Sequence, residues 1–130
     1  MSISCTNTKP EQPTIYGRWK IANPPEMIES VSDDLVIEYK PDGIIILEFE
    51  GMAMETYLFT IKEKNGINYI EMASKVNDEK YSGIYRLSED GNTLTVKLFD
   101  PRSGLKIPDN FNKEDGYQLD NFKRLTKQEE

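Results

Sequence analysis

The sequence predicts an all-β protein: an eight-stranded antiparallel up-and-down β-barrel, with at most one short helix after the first strand. Three observations predict it. Apolar and polar residues alternate with period two in eight short runs between Ile15 and Leu125, the pattern of half-buried strands. Tight-turn sequences separate the runs, among them Pro41-Asp42-Gly43, Asn65-Gly66 and Asp90-Gly91, so neighbours in sequence become neighbours in space. No run has the helical length that a crossover between parallel strands needs. An open meander of this size leaves two exposed edges, and closure removes them. A two-sheet sandwich is the alternative arrangement of the same strands.

The first strand runs from Ile15 to Ile21, with Gly17, Trp19 and Ile21 on one face and Tyr16, Arg18 and Lys20 on the other. Asn23-Pro24-Pro25 ends it, because proline removes a ladder donor and restricts the residue before it. Glu26 to Val31 then predicts one or two helical turns, with Met27, Ile28 and Val31 at helical spacing behind two prolines. The second strand, Leu35 to Lys40, sets Leu35, Ile37 and Tyr39 on one face. The third, Ile44 to Glu50, sets Ile45, Leu47 and Phe49 against Ile46, Glu48 and Glu50. Gly51 breaks it, and Met52-Ala53-Met54 reads as a loop folded over one barrel end. The fourth strand, Met54 to Glu63, groups Tyr57, Phe59 and Ile61, and Asn65-Gly66 turns it into the fifth, Ile67 to Ser74. The sixth, Tyr81 to Leu87, groups Tyr81, Gly83, Tyr85 and Leu87. The seventh, Thr93 to Phe99, sets Leu94, Val96 and Leu98 against Thr93, Thr95 and Lys97. A long loop from Asp100 to Gly116 carries Leu105, Ile107 and Phe111. It reads as a lid or partner surface, or as a loop tucked on the barrel. The eighth strand is Tyr117 to Leu125.

Composition excludes much chemistry. The chain has 130 residues, 16 Lys and Arg against 23 Asp and Glu, no His and one Cys, with a formal net charge of −7. The length suits one domain. The acidic balance argues against nucleic acid as a partner, since phosphate backbones are bound by clustered Lys and Arg. Lack of His removes His-based triads, His-ligated metals and the usual general base near neutrality. A single Cys removes an intrachain disulfide and a Cys-cluster zinc site. No G-x-S-x-G elbow and no calcium-loop pattern is present. The acidic pairs Asp33-Asp34, Glu48 with Glu50, and Glu114-Asp115 read as solvated faces. The expectation is a non-enzymatic protein without metal or cofactor. Residues 1–14 read as a flexible tether, 15–125 as the barrel domain and 126–130 as a polar tail.

Gly17-Arg18-Trp19 on the first strand matches a G-x-W signature, and Phe122-Lys123-Arg124-Leu125 ends the last strand with a basic residue. The hairpin from Tyr85 to Val96 has a matching style. These residues resemble the lipocalin-like (calycin) group, in particular its short bacterial domains, over Ile15 to Leu125. The resemblance implies that Arg124 packs across Trp19 at a closed barrel end. It implies binding of a small, partly apolar ligand inside the barrel. Ile37, Tyr39, Leu47, Phe49, Tyr57, Phe59, Tyr69, Met72, Tyr85 and Leu98 then line a cavity or fill a core. Tyr39, Phe49, Tyr57, Phe59, Tyr69 and Tyr85 are the candidate contacts, since phenols offer both a flat face and a hydroxyl. The chain is shorter than larger lipocalins, lacks their disulfide and shows no long C-terminal helix, which implies a filled or narrow interior. Cys5 and the polar segment after it resemble the start of a mature bacterial lipoprotein. Cys5 would then carry the lipid, with Met1 to Ser4 the remnant of a trimmed signal. That implies a bacterial cell envelope or secreted location, with the membrane touched only through the anchor. An ordinary free thiol is the other reading of Cys5. A protein-interaction module, an inhibitor or accessory envelope protein with a filled barrel, is the alternative function. An open cavity of about 300 Å³ or more favours the first function. A sealed barrel with an apolar outer patch favours the second.

Overall fold

Alternating residues become a ring of strands in the computed structural model, which describes residues 14–22 and 35–125. The strands are β1 (Gly17–Ile21), β2 (Leu35–Tyr39), β3 (Ile44–Phe49), β4 (Met52–Lys64), β5 (Ile67–Ser74), β6 (Lys80–Leu87), β7 (Thr93–Phe99) and β8 (Gln118–Arg124). One 3-10 turn, Pro101–Ser103, follows β7. Every strand pairs antiparallel with the next, and β8 pairs with β1 to close an eight-stranded up-and-down barrel. The expected helix at Glu26 to Val31, the Asp33-Asp34 pair, Cys5 and the tether lie outside the described residues.

Paired residues of an antiparallel ladder share a face, so the register sorts inside from outside. Trp19 pairs with Ile37 and Arg124, Ile45 with Tyr57, and Leu94 with Leu87 and Phe122. The core gathers the same face: Ile15, Trp19, Tyr39, Ile45, Tyr57, Phe59, Ile70, Tyr85, Leu94, Val96 and Phe122. Gly83 is needed where β6 and β7 approach, since a Cβ there would lie 1.8 Å from the Lys97 carbonyl oxygen.

One barrel end is closed. It holds the β2–β3, β4–β5 and β6–β7 turns, and the start of β1 beside the end of β8. Trp19 is fully buried there and its Nε1 donates to the Ile15 carbonyl at 2.8 Å. The Arg124 guanidinium carbon sits 4.2 Å from the Trp19 ring centroid. Gly17 adopts φ 132°, and a Cβ on it would lie 2.5 Å from Arg124 Nη1. The glycine is therefore what lets the guanidinium reach over the indole.

Three expectations change. Met52-Ala53-Met54 is extended strand at the start of β4, where a loop is expected. Glu50 (φ 53°) and Gly51 (φ 82°) close a two-residue turn, so β4 begins at once. Glu50 therefore leaves the strand and does not share a face with Glu48. Glu48 instead accepts from Arg18 Nη2 at 3.1 Å. Finally, the outer face of β6–β8 is covered. Ile84, Lys97 and Phe99 are buried outside the core cluster, beneath the segment between β7 and β8. Of the two readings of that segment, the tucked loop describes its Pro108–Glu114 portion, while Leu105 and Ile107 stay exposed.

Candidate functional site

The inner face divides into a filled half and an open half. Near the closed end, large rings occupy the lumen: Tyr39 meets Phe59 edge to face at 5.5 Å, and Phe59 meets Tyr16 at 6.5 Å. Toward the other end, a cavity of about 170 Å³ remains. Ile37 and Tyr39 of β2, Ile45 and Leu47 of β3, Tyr57 of β4 and Met72 of β5 line one side. Tyr81 of β6, Val96 and Leu98 of β7, and Gln118, Asp120 and Phe122 of β8 line the other. Seven strands thus contribute one or more side chains each, as period two requires.

Most of this wall is apolar, and the polar groups are few. Gln118 Nε2 donates to Asp120 Oδ2 at 2.6 Å. The Tyr57 hydroxyl donates to Glu55 Oε2 at 2.8 Å, with Glu79 Oε1 at 3.3 Å. The Tyr57 and Tyr81 rings lie 6.4 Å apart. Tyr39 is only 4% exposed and lines the cavity. Burial pushes the Tyr39 phenol well above its ordinary range, and the Asp120 charge adds to this. Burial also raises Tyr57, helped by its hydrogen bond to Glu55. Tyr81 is raised by burial and then by the Glu79 charge. All three phenols are therefore neutral hydrogen-bonding groups near neutral pH. Among the described residues, no Lys or Arg lines the cavity. The lining can hold an apolar body and meet one polar end.

The expected contacts separate. Tyr39 and Tyr57 line the cavity. Phe59 and Tyr85 are buried in the core cluster but do not line it; they fill the lumen below. Phe49 pairs with Leu35 and Met52 at the strand end and is only half-buried, away from cavity and core cluster. Tyr69 is a correction: it lies on the outer face. It pairs with Lys62 and Ile84, while its neighbour Ile70 points into the core. A strand with apolar residues on both faces, Ile67, Tyr69, Ile70 and Met72, hides which set is inward. Gly17, Trp19 and Arg124 sit at the closed end. Sequence reasoning missed Ile45, Tyr81, Val96, Gln118, Asp120 and Phe122 as cavity residues. The signal was available, since Gln118, Asp120, Phe122 and Arg124 alternate along β8 on the face that Arg124 marks as inward.

An open groove of about 410 Å³ also runs over the outer face of β4–β6, between Leu58, Thr60, Glu71, Ala73, Lys80, Ser82 and Pro101. Among the described residues, no group of three or more His, Cys, Asp or Glu could hold a metal ion. Comparison with family models, curated proteins and solved structures gives no match.

Proposed function

We propose that the protein is a non-enzymatic binding barrel that holds a small, partly apolar molecule in the open half of its lumen. The observation that supports it most is the 170 Å³ cavity with an apolar wall and a few polar groups at one side. An apolar cavity of about 150 Å³ accommodates benzene, so this one suits a single ring or a short branched chain. It is smaller than the roughly 300 Å³ at which drug-sized sites begin. In the same proposal the barrel is held at a bacterial cell envelope by a lipid on Cys5, a reading carried by the N-terminal sequence. Native mass spectrometry of protein purified from its source is the test. A single small adduct released on denaturation is expected. A bare mass with a co-purifying protein turns the reading to the alternative.

That alternative, a protein-interaction module, has one specific support. Met52, Met54, Leu58 and Val76 are all at least half exposed, Val76 at 83%. The Lys75 N–H donates to the Thr56 carbonyl at 3.2 Å, which brings the turn carrying Val76 alongside β4. Apolar side chains grouped on an outer surface are a feature of contact sites.

A further inference from the structure

We infer that the start of β4 is a pairing edge for a second copy of this chain. Met52-Ala53-Met54 of one copy lies antiparallel beside the same residues of the other. The inference concerns the outside of the barrel and holds whichever reading of the lumen is right.

The edge itself is the first argument. β4 has β3 beside it from Met52 to Leu58, and β5 on its other side from Tyr57 onward. One further bond, from the Lys75 N–H to the Thr56 carbonyl, extends that second side by a residue. The chain after Lys75 does not follow, because it folds on itself. Ser74 Oγ accepts from the Val76 and Asn77 N–H groups at 3.1 and 3.3 Å, and Asn77 Oδ1 accepts from the Glu79 N–H at 2.8 Å. A register shift opposite Leu47 and Glu48 bends β4 at the same level. Among the described residues, Met52 to Glu55 therefore have a strand on one side and none on the other. Such a side offers main-chain donors and acceptors to a further strand.

Composition is the second argument. Edges that stay bare are ordinarily guarded by Lys, Pro or other charged residues. Met52, Ala53 and Met54 supply no such guard, and all three are exposed, Met52 at 68% and Met54 at 62%. Leu58 and Val76 add apolar surface beside them.

The third argument names the occupant. A twofold contact requires a surface that fits itself. Met52-Ala53-Met54 reads the same in both directions. An antiparallel pair centred on Ala53 sets Ala53 against Ala53, and Met52 against Met54 twice. In that register Gly51 faces Glu55, so no carboxylate faces another. Glu50 of each copy comes opposite Thr56 of the other, where Lys75 is hydrogen-bonded, so acid meets base at both ends of the pair. The net charge of −7 opposes association of two copies elsewhere on the surface, and this neutral segment is where they can meet. A contact this short falls below the ~1,200 Å² at which standard interfaces begin, so the dimer is a weak one.

Sedimentation equilibrium on the full chain, from about 10 μM to about 1 mM, reads the association. The mass is expected to rise with concentration from 15.0 kDa toward twice that value. Met54→Lys is expected to weaken the dimer about tenfold or more, since it adds a like charge to each strand of the pair. Met54→Leu is expected to leave it as it was. A second measurement reads the register. In a Cys5→Ser background, Ala53→Cys is expected to bridge two copies on mild oxidation, because directly opposed strand residues lie about 4.5–5.5 Å apart at Cα, within disulfide reach. Lys62→Cys, also exposed but toward the other end of β4, is expected to stay unbridged. A mass of 15.0 kDa at every concentration overturns the inference, whether a strand of a different protein takes the edge or none does, and the cavity reading stands. So does a dimer that Met54→Lys leaves intact, or Lys62→Cys bridging as fast as Ala53→Cys. If Met54→Lys does not fold, the two cysteine variants decide.

Discussion

The Arg124 guanidinium covers the Trp19 ring and donates to three carbonyl oxygens, those of Gly91 (2.9 Å), Tyr16 (2.7 Å) and Thr14 (2.5 Å). One side chain thereby ties the chain before β1, the β6–β7 turn and β8 together. Burial lowers its pKa from the ordinary guanidinium value; the group stays charged across the working range. Trp19→Ala removes the ring beneath it and the donor to Ile15. It is expected to cost about 3–5 kcal/mol. Urea unfolding checks this: the midpoint falls while the slope is kept, and an unmoved midpoint contradicts it. The trio of Gly17, Trp19 and Arg124 was legible in the sequence because close contact fixes each residue type. Tyr69 was not, because a tyrosine on a strand with two apolar faces is consistent with either.

Strand β7 shows what alternation can and cannot report. The pattern sets Thr93, Thr95 and Lys97 away from the core, and they are on that face. It does not say what covers the face. Lys97 is fully buried, with Nζ 2.5 Å from Glu114 Oε1, 3.4 Å from Asn110 Oδ1 and 4.9 Å from the Tyr117 ring centroid. Arg86 stacks on Phe111 at 4.4 Å beside it. The partners of Lys97 lie 13 to 20 positions along the chain, beyond the reach of any period. The two ends of this ion pair are unequal, since Glu114 is 48% exposed and Lys97 is not exposed at all. Removing Glu114 strands a buried cation, whereas removing the lysine charge leaves a carboxylate that water can solvate. Glu114→Gln is therefore expected to destabilise by about 1–3 kcal/mol. Lys97→Met, which keeps the buried stem, is expected to cost less. Thermal unfolding of the two variants gives the order, and the reverse order contradicts this account. The same limit explains Met52–Met54: the turn conformation of Glu50-Gly51, not the alternation, decides where β4 starts.

Across the whole molecule, four phenols respond together to alkali. Tyr39, Tyr57, Tyr81 and Tyr85 all have raised pKa values, with burial the first cause in each. A raised phenol pKa means that the fold favours the neutral form. That contribution is complete below the unfolded value of about 10 and is lost as pH rises above it. Stability is expected to fall over this alkaline range, with phenolate absorbance from these four appearing together with loss of the fold. Ultraviolet absorbance and circular dichroism recorded on one sample check it; early phenolate in an intact barrel contradicts it. The ring of strands was readable at this scale because turns and alternation are local. The cavity was not, because its volume depends on how far side chains from seven strands reach across the lumen. Closure by β1 and β8 has a geometric consequence. Leu125 donates its N–H to the Arg18 carbonyl at 2.9 Å, and Arg124 reaches Thr14, so chain entry and exit lie side by side. Both leave from the end opposite the cavity mouth. Thr14 and Leu125, the points where the described chain enters and leaves the barrel, thus stand together on the side away from the cavity.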